Sequence, residues 1–125
     1  MLKLVFSEAG PGPTLEAGPF EAVVIVGEAM SAGDGEQRVI ATHRDHSWFI
    51  DGKRFFRVDF NRAVRVHFEQ GDESSPSLGP FIHFSSADGI AYGDGAQIAH
   101  VDPDTGTWYS QLHERHWKSI VVRPA

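Results

Sequence analysis

The stretch SWFIDGKRFFRVDFNRAVRVHFEQ, residues 47–70, decides the fold class. Asp51-Gly52 lies between arms rich in aromatic and β-branched residues, and Asp-Gly in that setting marks a two-residue type I′ hairpin turn. Such a turn sets the register. It pairs Ile50 with Lys53, Phe49 with Arg54, Trp48 with Phe55, Ser47 with Phe56 and His46 with Arg57. Farther on, VRVHFEQ alternates cleanly, with Val64, Val66 and Phe68 on one side and Arg65, His67 and Glu69 on the other. A two-residue loop at Asn61-Arg62 would put Phe56, Val58 and Phe60 on the face of Arg65 and His67. A three-residue loop pairing Phe60 with Val64 instead gathers Phe56, Val58, Phe60, Val64, Val66 and Phe68 on one face. Burying each of these is worth roughly 1.5 to 3 kcal/mol, which outweighs turn preferences and predicts the second arrangement.

The opposite face then follows without further choice. Its rows are His46 with Arg57 and His67, Trp48 with Phe55 and Glu69, and Asp59 with Arg65. Trp48, Phe55, Arg57, His46, His67 and Arg65 are therefore the candidate ligand-binding residues. Another segment covers the two aromatic rings and leaves the charges at the rim, or the patch is open. An open aromatic and cationic patch would take a protein or a small polar, anionic or sugar-like ligand.

Outward from this hairpin the same grammar continues. Turn signals recur at ADG, GDG and DPDTG between FIHFS, IAY, AQIAHV and TWYS, and WKSIVVRP closes the chain. The expected fold is all-β, a single-domain antiparallel β-sandwich or barrel built from a hairpin meander. Weak helical spacing of Tyr109, Leu112, His116 and Ile120 admits at most one short helical turn near residues 110–117. Residues 9–19 and 71–80 are rich in Gly, Pro or Ser and read as loops. In PFEAVVIVGEAM, residues 19–30, four consecutive β-branched residues predict a strand buried on both faces, followed by a turn at SAGDGE.

Composition bounds the function classes. The 125 residues, 41% hydrophobic and 22% charged, suit one globular domain with a core of its own. No apolar run reaches membrane-spanning length. The start MLKLVFSEAGPGP breaks off too soon for a signal-peptide core, so the expected location is cytoplasmic. Absence of cysteine removes disulfides, thiolate metal sites and thiol nucleophiles. The formal charge of −6 argues against a general nucleic-acid partner. Only residues 37–69 are basic, with seven Lys or Arg against four acids, and a local anion site would have to lie there.

Two near-repeats carry the other chemical possibility. THRDHSW, residues 42–48, and LHERHW, residues 112–117, each hold two histidines three apart. Imidazoles at that spacing converge on one ion from a loop but not from a strand, where they face opposite sides. His43, His46, His113 and His116 are the metal candidates, and a divalent transition metal is the one cofactor this pattern admits. His67, His83 and His100 fall on separate predicted strands and form a weaker pocket candidate. A cupin-like metal barrel would want His-x-His on one strand with a following carboxylate, and no His-x-His occurs. Asp102 to Gly106 resembles the start of a calcium loop but has His113 where a bidentate glutamate is required, and reads as a β-turn. No nucleophile elbow, P-loop or dinucleotide fingerprint is present. A binding or interaction module, rather than an enzyme, is the first expectation. A His-rich metal-binding protein or metal-dependent enzyme of small β-barrel type is the alternative.

Overall fold

The computed structural model describes residues 1–33 and 36–125. Among the described residues seventeen strands follow one another and there is no helix. The first seven are β1 (Leu2–Ser7), β2 (Leu15–Phe20), β3 (Ala22–Val26), β4 (Ala29–Gly33), β5 (Arg38–Arg44), β6 (Ser47–Ile50) and β7 (Lys53–Phe55). Then come β8 (Arg57–Phe60), β9 (Val64–Gln70), β10 (Glu73–Ser74), β11 (Leu78–Phe81) and β12 (Phe84–Ala87). The chain closes with β13 (Ile90–Gly93), β14 (Ala96–Asp102), β15 (Thr107–Ser110), β16 (Arg115–Trp117) and β17 (Ser119–Pro124).

These strands form two antiparallel sheets packed face to face, a sandwich rather than a closed barrel. Sheet A runs β16-β15-β14-β13-β12-β8-β1-β2, and sheet B runs β10-β9-β17-β3-β4-β5-β6-β7, with β11 also paired to β9. Alternate residues of both sheets point inward and fill the space between them. Leu4, Phe6, Val58, Phe60, Phe84 and Trp108 come from sheet A; Val23, Ile25, Met30, Trp48, Val66, Phe68 and Ile120 come from sheet B.

The Asp51-Gly52 turn forms as read, pairing Ile50 with Lys53, Phe49 with Arg54 and Trp48 with Phe55. Both turn residues have positive φ, 49° and 79°, as a type I′ turn requires. Beyond Phe55 the predicted register ends. The chain bends at Phe56, whose N–H donates to the Ser7 carbonyl at 2.9 Å, and β8 joins the other sheet between β1 and β12. β8 and β9 therefore do not pair. They lie in different sheets, and their inward side chains share one core. Of the six residues expected on the core face, Val58, Phe60, Val64, Val66 and Phe68 are buried, whereas Phe56 is 43% exposed. Inward alternation is the same for two neighbours in a sheet and for two strands in the two sheets of a sandwich, so the pattern survives while the pairing changes.

Three other expectations change for physical reasons. Residues 9–19 are not all loop: β2 occupies Leu15–Phe20 as the outermost strand of sheet A, where Pro19 need not donate to a further strand. Residues 71–80 likewise contain β10 and the start of β11. The run Val23 to Val26 alternates, with Val23 and Ile25 buried and Val26 exposed, because sheet B has only one covered face. The expected helical turn near residues 110–117 is a single turn in which Glu114 N–H donates to the Ser110 carbonyl at 2.9 Å. Of the expected SAGDGE turn, Asp34 and Gly35 lie outside the described residues and Ser31 to Gly33 belong to β4.

The two sheets are tied together at several points. Trp108 Nε1 donates to the Gly27 carbonyl at 3.1 Å, linking β15 of sheet A to the β3–β4 turn of sheet B. At one open edge Arg115 of β16 lies over the Trp117 ring at 4.1 Å and reaches Glu73 of β10 at 2.9 Å. At one end of the sandwich the β5–β6 turn meets the β12–β13 turn, and a cleft lies there.

Candidate functional site

The aromatic and cationic face expected from residues 46–69 does not exist as one surface. Trp48 is 0% and Phe55 4% exposed, both inside the core, because β6 and β7 turn these side chains toward sheet A. Trp48 packs edge-on against His43, and Phe55 packs against Phe6. Arg57 and Asp59 lie on the outer face of sheet A, where Arg57 Nε contacts Asp59 Oδ1 at 3.0 Å and Arg57 Nη2 donates to Ser85 Oγ at 3.2 Å. Arg65 and His67 lie on sheet B, whose outer face is the opposite side of the molecule. There Arg65 Nη1 donates to the Gly79 carbonyl at 3.4 Å, and His67 Nε2 sits 2.8 Å from Glu69 Oε1. The crossing of the chain between sheets after Phe56 separates these groups.

His46 leads to the concavity. It is not the outward strand residue expected from the hairpin but the second residue of the β5–β6 turn, with φ of 63° after Asp45 at 50°. Two positive φ values in a row define a type I′ turn, here made without glycine, in the left-handed region that Asp and His tolerate better than most residues. The Asp88-Gly89 turn between β12 and β13 has the same form, with φ of 55° and 74°. His46 Nδ1 lies 2.9 Å from Asp88 Oδ1 and so joins a hairpin of sheet B to one of sheet A.

Between these turns lies a cleft of about 570 Å³ whose walls include Glu28, His43, Arg44, His46, Asp88 and His100, with Ile90, Val101 and Pro103 as apolar lining. His43 is its most distinctive member. The residue is 6% exposed, its N–H donates to the Glu28 carbonyl at 2.6 Å, and its ring lies 5.1 Å from that of Trp48. Its Nε2 is buried and has no hydrogen-bond partner among the described residues. Burial pushes the His43 imidazole below its ordinary value of 6.5, against the opposing pull of Glu28, so the ring is neutral at pH 7. Gly89 makes this approach possible: a Cβ there would come within 3.2 Å of Val101 Cγ1 and 3.6 Å of His43 Cε1, at a φ that strains any side chain.

The four metal candidates are scattered. His43 and His46 line the cleft, whereas His113 Nδ1 is 2.7 Å from Ser110 Oγ and its ring meets Phe68 and Trp117 edge-on. His116 Nδ1 is 3.0 Å from Thr107 Oγ1 on β15. Among the described residues no three His, Asp or Glu side chains are placed to hold one ion. The weaker trio separates too: His100 lines the end cleft, His67 is on the far face, and His83 lines a second cleft of about 380 Å³ with Phe56, Arg57, Ser85 and Tyr92. The predicted turn at residues 102–106 forms, with Gly106 N–H donating to the Asp102 carbonyl at 2.8 Å.

Sequence reasoning missed Glu28, Asp88 and His100 as partners of His43 and His46. The Asp-Gly signal at residues 88–89 located the turn, but nothing local says that it meets Asp45-His46. Among the described residues no helix is long and apolar enough to cross a membrane. No family model, curated protein or solved structure matches the chain.

Proposed function

We propose that this protein is a binding module whose recognition site is the end cleft at His43, His46 and Asp88, and that its ligand is small, polar and neutral or cationic. The observation that carries this reading is the buried Nε2 of His43, unpartnered among the described residues, on a side chain that lines this cleft. A buried polar atom without a partner costs about 1–3 kcal/mol, and a ligand whose entry shifts the cleft wall enough to supply the partner recovers that cost. The remaining walls fit the pattern of a small-molecule site, in which apolar lining surrounds a few convergent polar groups.

Charge selects among ligands. Glu28, Asp45 and Asp88 set three carboxylates against the single guanidinium of Arg44, which is itself drawn over the Phe49 ring at 4.2 Å. With His43 neutral this balance opposes an anion, contrary to the expectation from the basic middle of the sequence. Carboxylates accept but cannot donate, so they call for ligand hydroxyls or an ammonium group.

The test is imidazole-detected NMR with glucose, methylammonium and inorganic phosphate as separate probes. Glucose or methylammonium is expected to shift the His43 and His46 ring signals, and phosphate to leave them in place. Response to phosphate alone, or to none of the three, overturns the reading.

A further inference from the structure

The end cleft borders a row of residues on the outer face of sheet A. Cross-strand neighbours on one face of a sheet form a row, and one row here crosses six strands. Arg57 pairs with Ala87, Ala87 with Ile90, Ile90 with His100, His100 with Tyr109 and Tyr109 with His116. The residues that alternate with them, Val58, Ala91, Ala99, Trp108 and Trp117, are buried, which puts the row on the outer face of sheet A; within it Ala87 is covered, Ile90, His100 and Tyr109 are half-buried, and Arg57 and His116 are exposed. At about 4.8 Å per strand the row spans roughly 24 Å. Ile90 and His100 belong to the end cleft, while Asp88 lines both that cleft and the second one at Arg57 and Tyr92, so the two concavities are neighbours on one surface.

The rings on this track are held in place before any ligand arrives. His100 and Tyr109 have centroids 5.3 Å apart, and Tyr109 and His116 5.1 Å. Gln111 Nε2 lies 2.7 Å from His100 Nδ1, and Thr107 Oγ1 3.0 Å from His116 Nδ1. Restrained side chains lose little freedom on binding, so contacts made to them are retained as affinity. Resting on the end-cleft reading, we infer that the ligand is a neutral oligosaccharide lying along this row, with one sugar in the cleft and others over His100, Tyr109 and His116 or toward Arg57.

Donor and acceptor balance decides for a saccharide over a proline-rich peptide, the other extended ligand that suits aromatic grooves. The track interleaves donors with acceptor-only carboxylates at Asp59 and Asp88. Sugar hydroxyls donate and accept, and satisfy both. A polyproline chain offers carbonyls and no N–H, so it adds no donor to the contacts that Arg57 already makes to Asp59 and His46 to Asp88, whereas sugar hydroxyls do.

The experiment titrates the full chain with glucose, decaproline and the hexasaccharides of β-1,4-, α-1,4- and β-1,3-linked glucose. It is followed by calorimetry and amide NMR, with Tyr109→Ala, Tyr109→Phe and Arg57→Ala as variants checked for folding by near-UV circular dichroism. One hexasaccharide is expected to bind at least about tenfold more tightly than glucose, moving amides from β8 and from β12 through β16. Tyr109→Ala should remove most of that advantage, and Tyr109→Phe should keep it. Hexasaccharides no tighter than glucose, or a Tyr109→Ala variant that binds them normally, overturn the track while the end cleft stands if glucose still shifts His43. Shifts along the row with none at His43 or His46 remove the end cleft, and the inference with it. Binding of decaproline to the row in place of the saccharides overturns the saccharide assignment.

Discussion

His46 Nδ1 and Asp88 Oδ1, 2.9 Å apart, connect two glycine-poor and glycine-containing versions of the same turn, one from each sheet. The pair is well exposed, 80% for His46 and 54% for Asp88, so water screens it. An exposed pair is worth under about 1 kcal/mol, and Asp88→Ala should change urea-denaturation stability by no more than that. If it binds ligand, the same substitution should reduce the glucose or methylammonium response at His46 far more than it reduces stability. A loss of several kcal/mol would instead make Asp88 structural.

Trp48 provides the opposite case. With its side chain fully buried between the sheets, Trp48→Ala is expected to cost about 3–5 kcal/mol, seen as a large drop in the urea midpoint. Trp48→Phe should cost distinctly less. A Trp48→Ala protein of nearly normal stability would contradict the core position described above.

His43 predicts a pH dependence with a definite sign. Its folded-state value lies below the 6.5 of the free imidazole, so on acidification the unfolded chain takes up the proton first. Stability is then fully present above about pH 7, falls as the pH drops through 6.5, and levels off below the lowered folded value. Melting temperature measured across this range should show a shallower fall in His43→Leu than in the native protein. Equal slopes would show that His43 does not contribute.

Two glycines with similar φ should respond differently to alanine. Gly27 and Gly106 have φ of 55° and 69°, so either substitution carries left-handed strain on the order of 1 kcal/mol. A Cβ on Gly27 would also lie 2.6 Å from the Gly106 carbonyl oxygen, backbone that cannot swing aside, whereas a Cβ on Gly106 meets nothing within 4 Å. Gly27→Ala should therefore be the more destabilising by thermal melting, and it should disturb the Trp108 hydrogen bond to the Gly27 carbonyl. Equal effects would refute this.

The contrast between what residues 47–70 disclosed and what they withheld has a physical origin. Turn chemistry is local, and Asp-Gly at residues 51, 88 and 94 yields paired positive φ values wherever the hairpin ends up. Burial is half local: alternation marked Val58, Phe60, Val64, Val66 and Phe68 as inward, and they are. Pairing is not local. The bend at Phe56, with its N–H captured by Ser7, sends β8 to the sheet of β1, and no feature of the hairpin itself reports a partner at the start of the chain. That single event dissolved the expected patch of Trp48, Phe55, Arg57 and His67. The cleft was illegible for a related reason: the Asp45-His46 turn lacks the glycine that announces such turns, and its neighbour Asp88 is brought to it only by the packing of the sheets.

The position of β17 sets the order in which this molecule can be completed. It is the final strand in chain order but a central one in space, pairing with β9 on one side and β3 on the other. As the polypeptide leaves the ribosome, the β3-to-β7 ribbon and the β9 ribbon each emerge with an open seam that only Ser119–Pro124 can fill. Until those six residues are released the nascent chain exposes two unpaired strand edges bordered by apolar side chains, the kind of surface that chaperones recognise. Closing the seam unites segments from distant parts of the chain, so refolding should be slow for a protein of this size and should end in one cooperative step.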